Sequence, residues 1–157
     1  MKPYNKNFVF QEMKRYNKLI SSGTCGNCKI MKNIIKKQNL QGYMYENNQE
    51  YDIDVIELYK NNVNLMQLTP KEIESSYGAI HAANGKVGIV GLGLGYAAQE
   101  IARRCNVEEV IVYESSEDVI KLYNHNFIQN EKIKIIKGDA TKAKRDKFDF
   151  LIYMHNR

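Results

Sequence analysis

Residues 86–105, KVGIVGLGLGYAAQEIARRC, constrain the fold more than any other stretch of the chain. An apolar, valine- and isoleucine-containing run of buried-strand type ends on Gly91, Gly93 and Gly95, and a helical pattern opens at once. A strand passing into a helix through so short a turn implies a crossover connection, and hence a parallel sheet. The alternation then repeats. VEEVIVYE reads as a strand, SSEDVIKLYNHNF as a helix, KIKIIKGDA as a strand and FDFLIYM as a last strand. Just upstream, Thr69-Pro70-Lys71-Glu72 is a strong helix start: the threonine hydroxyl can accept from a free first-turn amide, and proline tolerates the first helical position. That helix is predicted to run to about Asn84, with Ile73, Tyr77, Ile80 and Ala83 on one face and Gly85 as its stop.

The first 68 residues follow other patterns. Phe10, Met13, Tyr16, Leu19 and Ile20 recur at helical spacing, SSGTCG interrupts, and Ile30, Met31, Ile34, Ile35 and Leu40 resume, which predicts two short amphipathic helices around a turn in a basic helical appendage over 1–41. Over 42–68 the period shortens. Tyr43 and Tyr45, then Ile53, Val55, Ile56 and Leu58, then Val63, Leu65, Met66 and Leu68 are divided by Asn47-Asn48 and Asn61-Asn62, predicting a small antiparallel meander that packs or pairs with another copy. Residues 69–157 make the third region.

Charge matters only in its placement. The chain carries a net +5, yet residues 1–41 hold nine lysines and arginines against one acid, Glu12, so the body is slightly acidic. A basic segment can bind nucleic acid by releasing counterions, but these lysines equally suit solvated helix faces, so a nucleic-acid partner is not favoured. At 157 residues a core can form without disulfides, and three cysteines cannot pair completely. With no run of roughly 20 apolar residues and no apolar leader at the start, the expectation is a cytoplasmic protein.

Three groups fall at successive strand ends. The glycines allow a sharp turn and close backbone approach to a ligand. Glu114 ends the next strand, 19 residues after Gly95, where a carboxylate can accept both hydroxyls of a ribose. Asp139, in Gly138-Asp139-Ala140, ends the third strand. In an open parallel sheet these ends share one crevice. Each group also has a purely structural use: tight packing for the glycines, a helix cap for Glu114, and a turn cap before Thr141 for Asp139.

The succession KVGIVGLGLGY, VIVYE, KIKIIKGDA, FDFLIYM resembles the class I S-adenosylmethionine-dependent methyltransferase fold, in particular its spermidine-synthase-like branch of uncharacterised bacterial proteins, over about residues 65–153. The resemblance implies an α/β fold with four strands of a partial Rossmann-like sheet. It also implies S-adenosylmethionine as cofactor, with Gly91, Gly93 and Gly95 against its methionine part, Glu114 on the ribose, and Asp139 with Ala140 beside the adenine. A nicotinamide-binding unit fits the glycines only in a shifted register, Gly93-Leu94-Gly95-Tyr96-Ala97-Ala98. Two departures stand out. Where relatives carry an acid near the end of the fourth strand this chain has Tyr153, Met154 and His155, and a complete sheet of the family has seven strands. A second copy, in a homo-oligomer, is one way to complete the acceptor side.

Methyl transfer needs little acid–base help, because the sulfonium is already activated and positioning dominates. Tyr96, Tyr153 and His155 are candidates for the mouth of the site, with His155 the one possible base near neutral pH. Cys25 and Cys28, three apart, are candidates for a local disulfide, for thiols of lowered pKa at a helix start, or for half of a metal site. Cys105 is expected to be buried in the helix after the glycine loop, and His81, His125 and His155 show no ligand spacing. The two function classes are thus a methyltransferase, or its cofactor-binding portion, with an unnamed acceptor, and a non-catalytic nucleotide-binding or oligomerisation module on the same fold.

Overall fold

A computed structural model describes residues 6–35, 53–139, 141 and 146–154. In chain order they form α1 (Lys6–Leu19), β1 (Gly23–Cys25), β2 (Cys28–Ile35), β3 (Ile53–Lys60), β4 (Val63–Leu68), α2 (Pro70–Ala82), β5 (Gly85–Val90), α3 (Tyr96–Ala102), β6 (Val107–Glu114), α4 (Glu117–Asn126), β7 (Ile133–Lys137) and β8 (Phe150–Tyr153). Two four-stranded sheets result. The first, β1-β2-β3-β4, is antiparallel throughout, and the second, β7-β6-β5-β8, is parallel throughout. Among the described residues no helix is long and apolar enough to cross a membrane.

The parallel half follows its sequence pattern closely. Thr69 caps α2, its hydroxyl accepting from Glu72 N at 3.1 Å, and Pro70 opens the helix. Ile73, Ile80 and Ala83 are buried on the inward face. The helix stops at Ala82, two residues before the predicted end, and Gly85, at φ +63°, starts β5 instead. Val87 and Ile89 of β5, and Val110 and Val112 of β6, are buried at the centre of the sheet, as expected for strands flanked on both sides.

The N-terminal half departs from expectation in one element. Residues 28–35 were expected in a second helix and form strand β2. Cys25 lies directly opposite Cys28 in the β1–β2 hairpin, and Gly26, at φ +58°, takes the first central position of the two-residue turn. Glycine there gives the backbone twist that such a hairpin needs. With the turn fixed, Cys28 and Ile30 alternate inward as strand residues, and tertiary pairing with β3 overrides the helical reading. The Asn61-Asn62 break is confirmed as the β3–β4 turn, with φ +51° and +65°, the left-handed pair that asparagine tolerates best after glycine. The expected Leu40, Tyr43, Tyr45 and Asn47-Asn48 positions lie outside the described residues.

Both sheets and all four helices contribute to one contiguous core. Val9, Met13 and Tyr16 of α1 and Ile20 just after it recur every three or four residues and are all essentially inaccessible, a spacing that puts them on one stripe. Each such side chain contributes about 1.5–3 kcal/mol when fully removed from water. On the antiparallel sheet the row Ile30, Leu58, Met66 shares the inward face. The other face carries a polar cluster around buried Glu57, which accepts from Gln67 Nε2 at 2.6 Å, from the Tyr59 hydroxyl at 3.2 Å, and from Asn33.

Candidate functional site at the glycine loop

The strand ends of the parallel sheet place three of the candidate groups at one edge. The loop after β5 is stitched between its neighbours: Gly91 N donates to Tyr113 O and Met154 N donates to Val90 O, both at 2.8 Å. On the far side Gly138 N donates to Glu114 O at 2.9 Å, which sets Asp139 next to the end of β6. Leu92 to Gly95 close a turn, Gly95 N donating to Leu92 O at 3.0 Å.

Glu114 is the hub of this edge. Only 6% of its surface is exposed. Its Oε1 accepts from Leu92 N at 2.8 Å and its Oε2 from Ser116 N at 3.0 Å. The carboxylate therefore ties the glycine loop to the start of α4, and the two amides hold its plane fixed. A carboxylate oxygen can take two hydrogen bonds, so each oxygen keeps one further acceptor position. Ser116 continues the network, its hydroxyl accepting from Val119 N at 3.3 Å as the cap of α4.

The glycines are required by their backbone. Gly91, Gly93 and Gly95 have φ of +101°, +56° and +88°, a region that costs other residues about 1–2 kcal/mol. What approaches them is the chain itself. A Cβ on Gly91 would come within 2.6 Å of Met154 O, and one on Gly95 within 2.5 Å of the Tyr123 ring. At Gly93 the neighbour is Met66 Sδ, 2.5 Å from where a Cβ would stand. That sulfur also accepts from Leu94 N at 3.4 Å. The thioether of β4 thus lies along the backbone of the glycine loop. Met66 was legible in the sequence only as an alternating apolar residue, and nothing there pointed to this contact.

The remaining candidates are placed as follows. Asp139 is exposed, and its Oδ1 accepts from Thr141 N at 3.0 Å, the turn-capping arrangement. Tyr153 ends β8 and is 41% exposed. Tyr96 does not face the strand-end crevice. It is 2% exposed, its hydroxyl donates to Glu12 Oε1 at 2.9 Å and its ring meets Tyr16 edge-on. Beside it Tyr16 donates to Glu100 Oε2, and Arg15 bridges Glu12 and Glu100 at 2.6 and 2.7 Å. Burial, and after it the nearby carboxylates, push both tyrosine hydroxyls well above their ordinary range. Burial opposes the Arg15 charge, but the bonds to Glu100 and Glu12 outweigh it and hold the guanidinium protonated. Ala140 and His155 lie outside the described residues.

The cysteines sit elsewhere than expected. Cys25 and Cys28 flank a hairpin turn and not a helix start, and partial burial, followed by the Asp118 carboxylate, pushes the Cys25 thiol up. Both are free thiols. Among the described residues no group of three or more His, Cys, Asp or Glu could hold a metal ion. Cys105 is exposed in the turn after α3, not buried within that helix. His81 stacks on Tyr77 within α2, and His125 lies near the end of α4.

No protein-family model matches the chain, and no curated protein matches it in sequence. Solved structures do resemble it. Spermidine synthase from Thermotoga maritima aligns with a TM-score of 0.53 at 18% identity, covering 88% of this chain and 47% of that one. A spermidine synthase in complex with the transition-state analogue AdoDATO aligns with a TM-score of 0.51 at 19% identity, covering 85% of this chain and 46% of that one. The chain therefore has an α/β fold of the kind found in these two structures, and it spans about half their length.

Proposed function

We propose that the glycine loop and Glu114 form the binding site of an S-adenosylmethionine-type cofactor, and that the chain is the cofactor-holding part of a methyltransferase whose acceptor is unnamed. The observation that carries this reading is Glu114: a buried carboxylate locked by Leu92 N and Ser116 N at the strand-end edge that also carries Asp139. The residues present fit such a group in two respects. Glu114 offers paired acceptors suited to vicinal hydroxyls, and the loop backbone at Gly91, Gly93 and Gly95 carries no side chain that would hold a ligand off. When bound, such a cofactor supplies a methyl group on a sulfonium. In this proposal Glu114 orients the ribose, the glycine loop admits close backbone approach, and Asp139 accepts from the adenine amine. Catalysis then rests on alignment in a site shielded from water.

The test is calorimetric titration and thermal shift with S-adenosylmethionine, S-adenosylhomocysteine and NAD. At a hundredfold excess over Kd, binding adds about 2.7 kcal/mol, which is a rise of roughly 5–11 °C for a chain of this size. Glu114→Ala should lose the shift relative to its own unliganded midpoint. No response to either adenosyl compound, or an equal response in Glu114→Ala, would sink the reading.

The second reading, a non-catalytic module, is favoured by one specific observation: Met66 occupies the face of Gly93 and Leu94. Association of copies in solution with no ligand response would decide for it.

A further inference from the structure

The β1–β2 turn is docked onto the first turn of α4. Asn27 N donates to Asp118 Oδ2 at 3.4 Å, the Cys25 thiol donates to Asp118 Oδ1 at 3.7 Å, and a Cβ on Gly26 would meet the same carboxylate. Cys28 Sγ lies 3.8 Å from Ser116 Oγ. Both sulfurs thus touch the segment whose backbone holds Glu114. The two cysteines are register partners across the turn, so their side chains share a face and their Cβ atoms stand about 4.5–5.5 Å apart, at the edge of disulfide reach.

Their accessibility differs in a useful way. Cys25 is partly exposed and Cys28 is fully buried. We propose that Cys25 and Cys28 are a reversible dithiol switch, closed by low-molecular-weight disulfides such as oxidised glutathione, whose state is transmitted to the start of α4 through Asp118 and Ser116. The Cys25 thiolate attacks the glutathione disulfide, forming a mixed disulfide and releasing one glutathione thiolate. The Cys28 thiolate then attacks the Cys25 sulfur, expelling the second glutathione. The two protein thiols lose two protons and two electrons, and one glutathione disulfide becomes two glutathiones. Closure withdraws the S–H donor from Asp118 and the thiol from Ser116, and loosens the clamp on the first turn of α4. The raised Cys25 pKa makes the first attack slow at neutral pH and faster as pH rises toward the thiol range.

The switch does not depend on the cofactor assignment, so its test uses the unliganded chain. Exposed Cys105 is removed as Cys105→Ser, and the protein is equilibrated in glutathione buffers from fully reduced to strongly oxidising, trapped by alkylation, and peptide-mapped. The expected product is a Cys25–Cys28 bond that forms and reverses with buffer ratio, lightening the peptide by two hydrogens. Amide exchange at Ser116 and Val119 should quicken roughly three- to tenfold, the range set by one ordinary hydrogen bond. Persistent glutathione on Cys25 with Cys28 unreacted would overturn the proposal. So would closure that leaves exchange at residues 116–119 unchanged. Cys25→Ser, at a partly exposed position that should keep the fold, must abolish glutathione capture by Cys28, and capture at Cys28 in that variant would refute the order of attack.

Discussion

Replacing Met66 by alanine separates a side chain that merely fills space from one that occupies a ligand surface. Fully buried methionines cost about 2–5 kcal/mol when cut to alanine. Met66 is only partly buried, so about half of that is expected, with a weak hydrogen bond from Leu94 N lost besides. A total near 2 kcal/mol lowers the midpoint by roughly 4–8 °C in a chain of this length. Affinity for S-adenosylhomocysteine should move the other way. Any ligand lying along Gly93 must first displace the thioether, and removing a contact worth about 1.4 kcal/mol raises affinity about tenfold. Scanning calorimetry without ligand gives the first quantity, and titration calorimetry of both proteins gives the second. A variant that loses stability while its affinity stays level or falls would refute the displacement argument and leave Met66 as core packing alone.

Other expectations follow from the same geometry. Glu114→Gln turns an amide donor toward one of the two backbone N–H groups, and should cost roughly 2–3 kcal/mol in urea unfolding; a loss under about 0.5 kcal/mol would mean the carboxylate does not bridge the loops. Gly93→Ala places a Cβ against the flexible end of Met66, so its cost should shrink toward the backbone strain of about 1–2 kcal/mol in the Met66→Ala background; full additivity in that double-mutant cycle would argue against the contact. Tyr16 and Tyr96 have hydroxyl pKa values raised by burial and then by acids, so the unfolded chain loses these protons first as pH rises past 10. Stability should be intact below that pH and fall above it by about 1.4 kcal/mol per pH unit for each hydroxyl. Tyr96→Phe should lower that slope by one group's share, measured by urea unfolding between pH 8 and 11.

The parallel half was legible because its signals are local. Thr69 and Pro70 announce α2, and buried strand runs, caps and glycines follow in fixed order. The antiparallel half was harder. Ile30-Met31 and Ile34-Ile35 satisfy helical and extended spacing alike, and the choice was made by a turn and by β3, which no short window contains. At the site, Glu114 could be read from its place at the end of a strand. Its two amide donors, the seat of Met66 on the loop and the inward turn of Tyr96 depend on packing between segments far apart in sequence. Glu12 illustrates the limit: it stood out as the lone acid of a basic stretch, yet the reason it is there is Tyr96, 84 residues on.

The fastening of α1 to α3 bears on what α1 is. It was expected in an appendage over 1–41, but its Glu12, Arg15 and Tyr16 bond to Tyr96 and Glu100 of the helix that follows the glycine loop. A shortened protein starting at Ser21 would strand the Tyr96 hydroxyl and the Glu100 carboxylate, which lose Glu12, Arg15 and Tyr16. Trimming that end for convenience would open the molecule rather than tidy it.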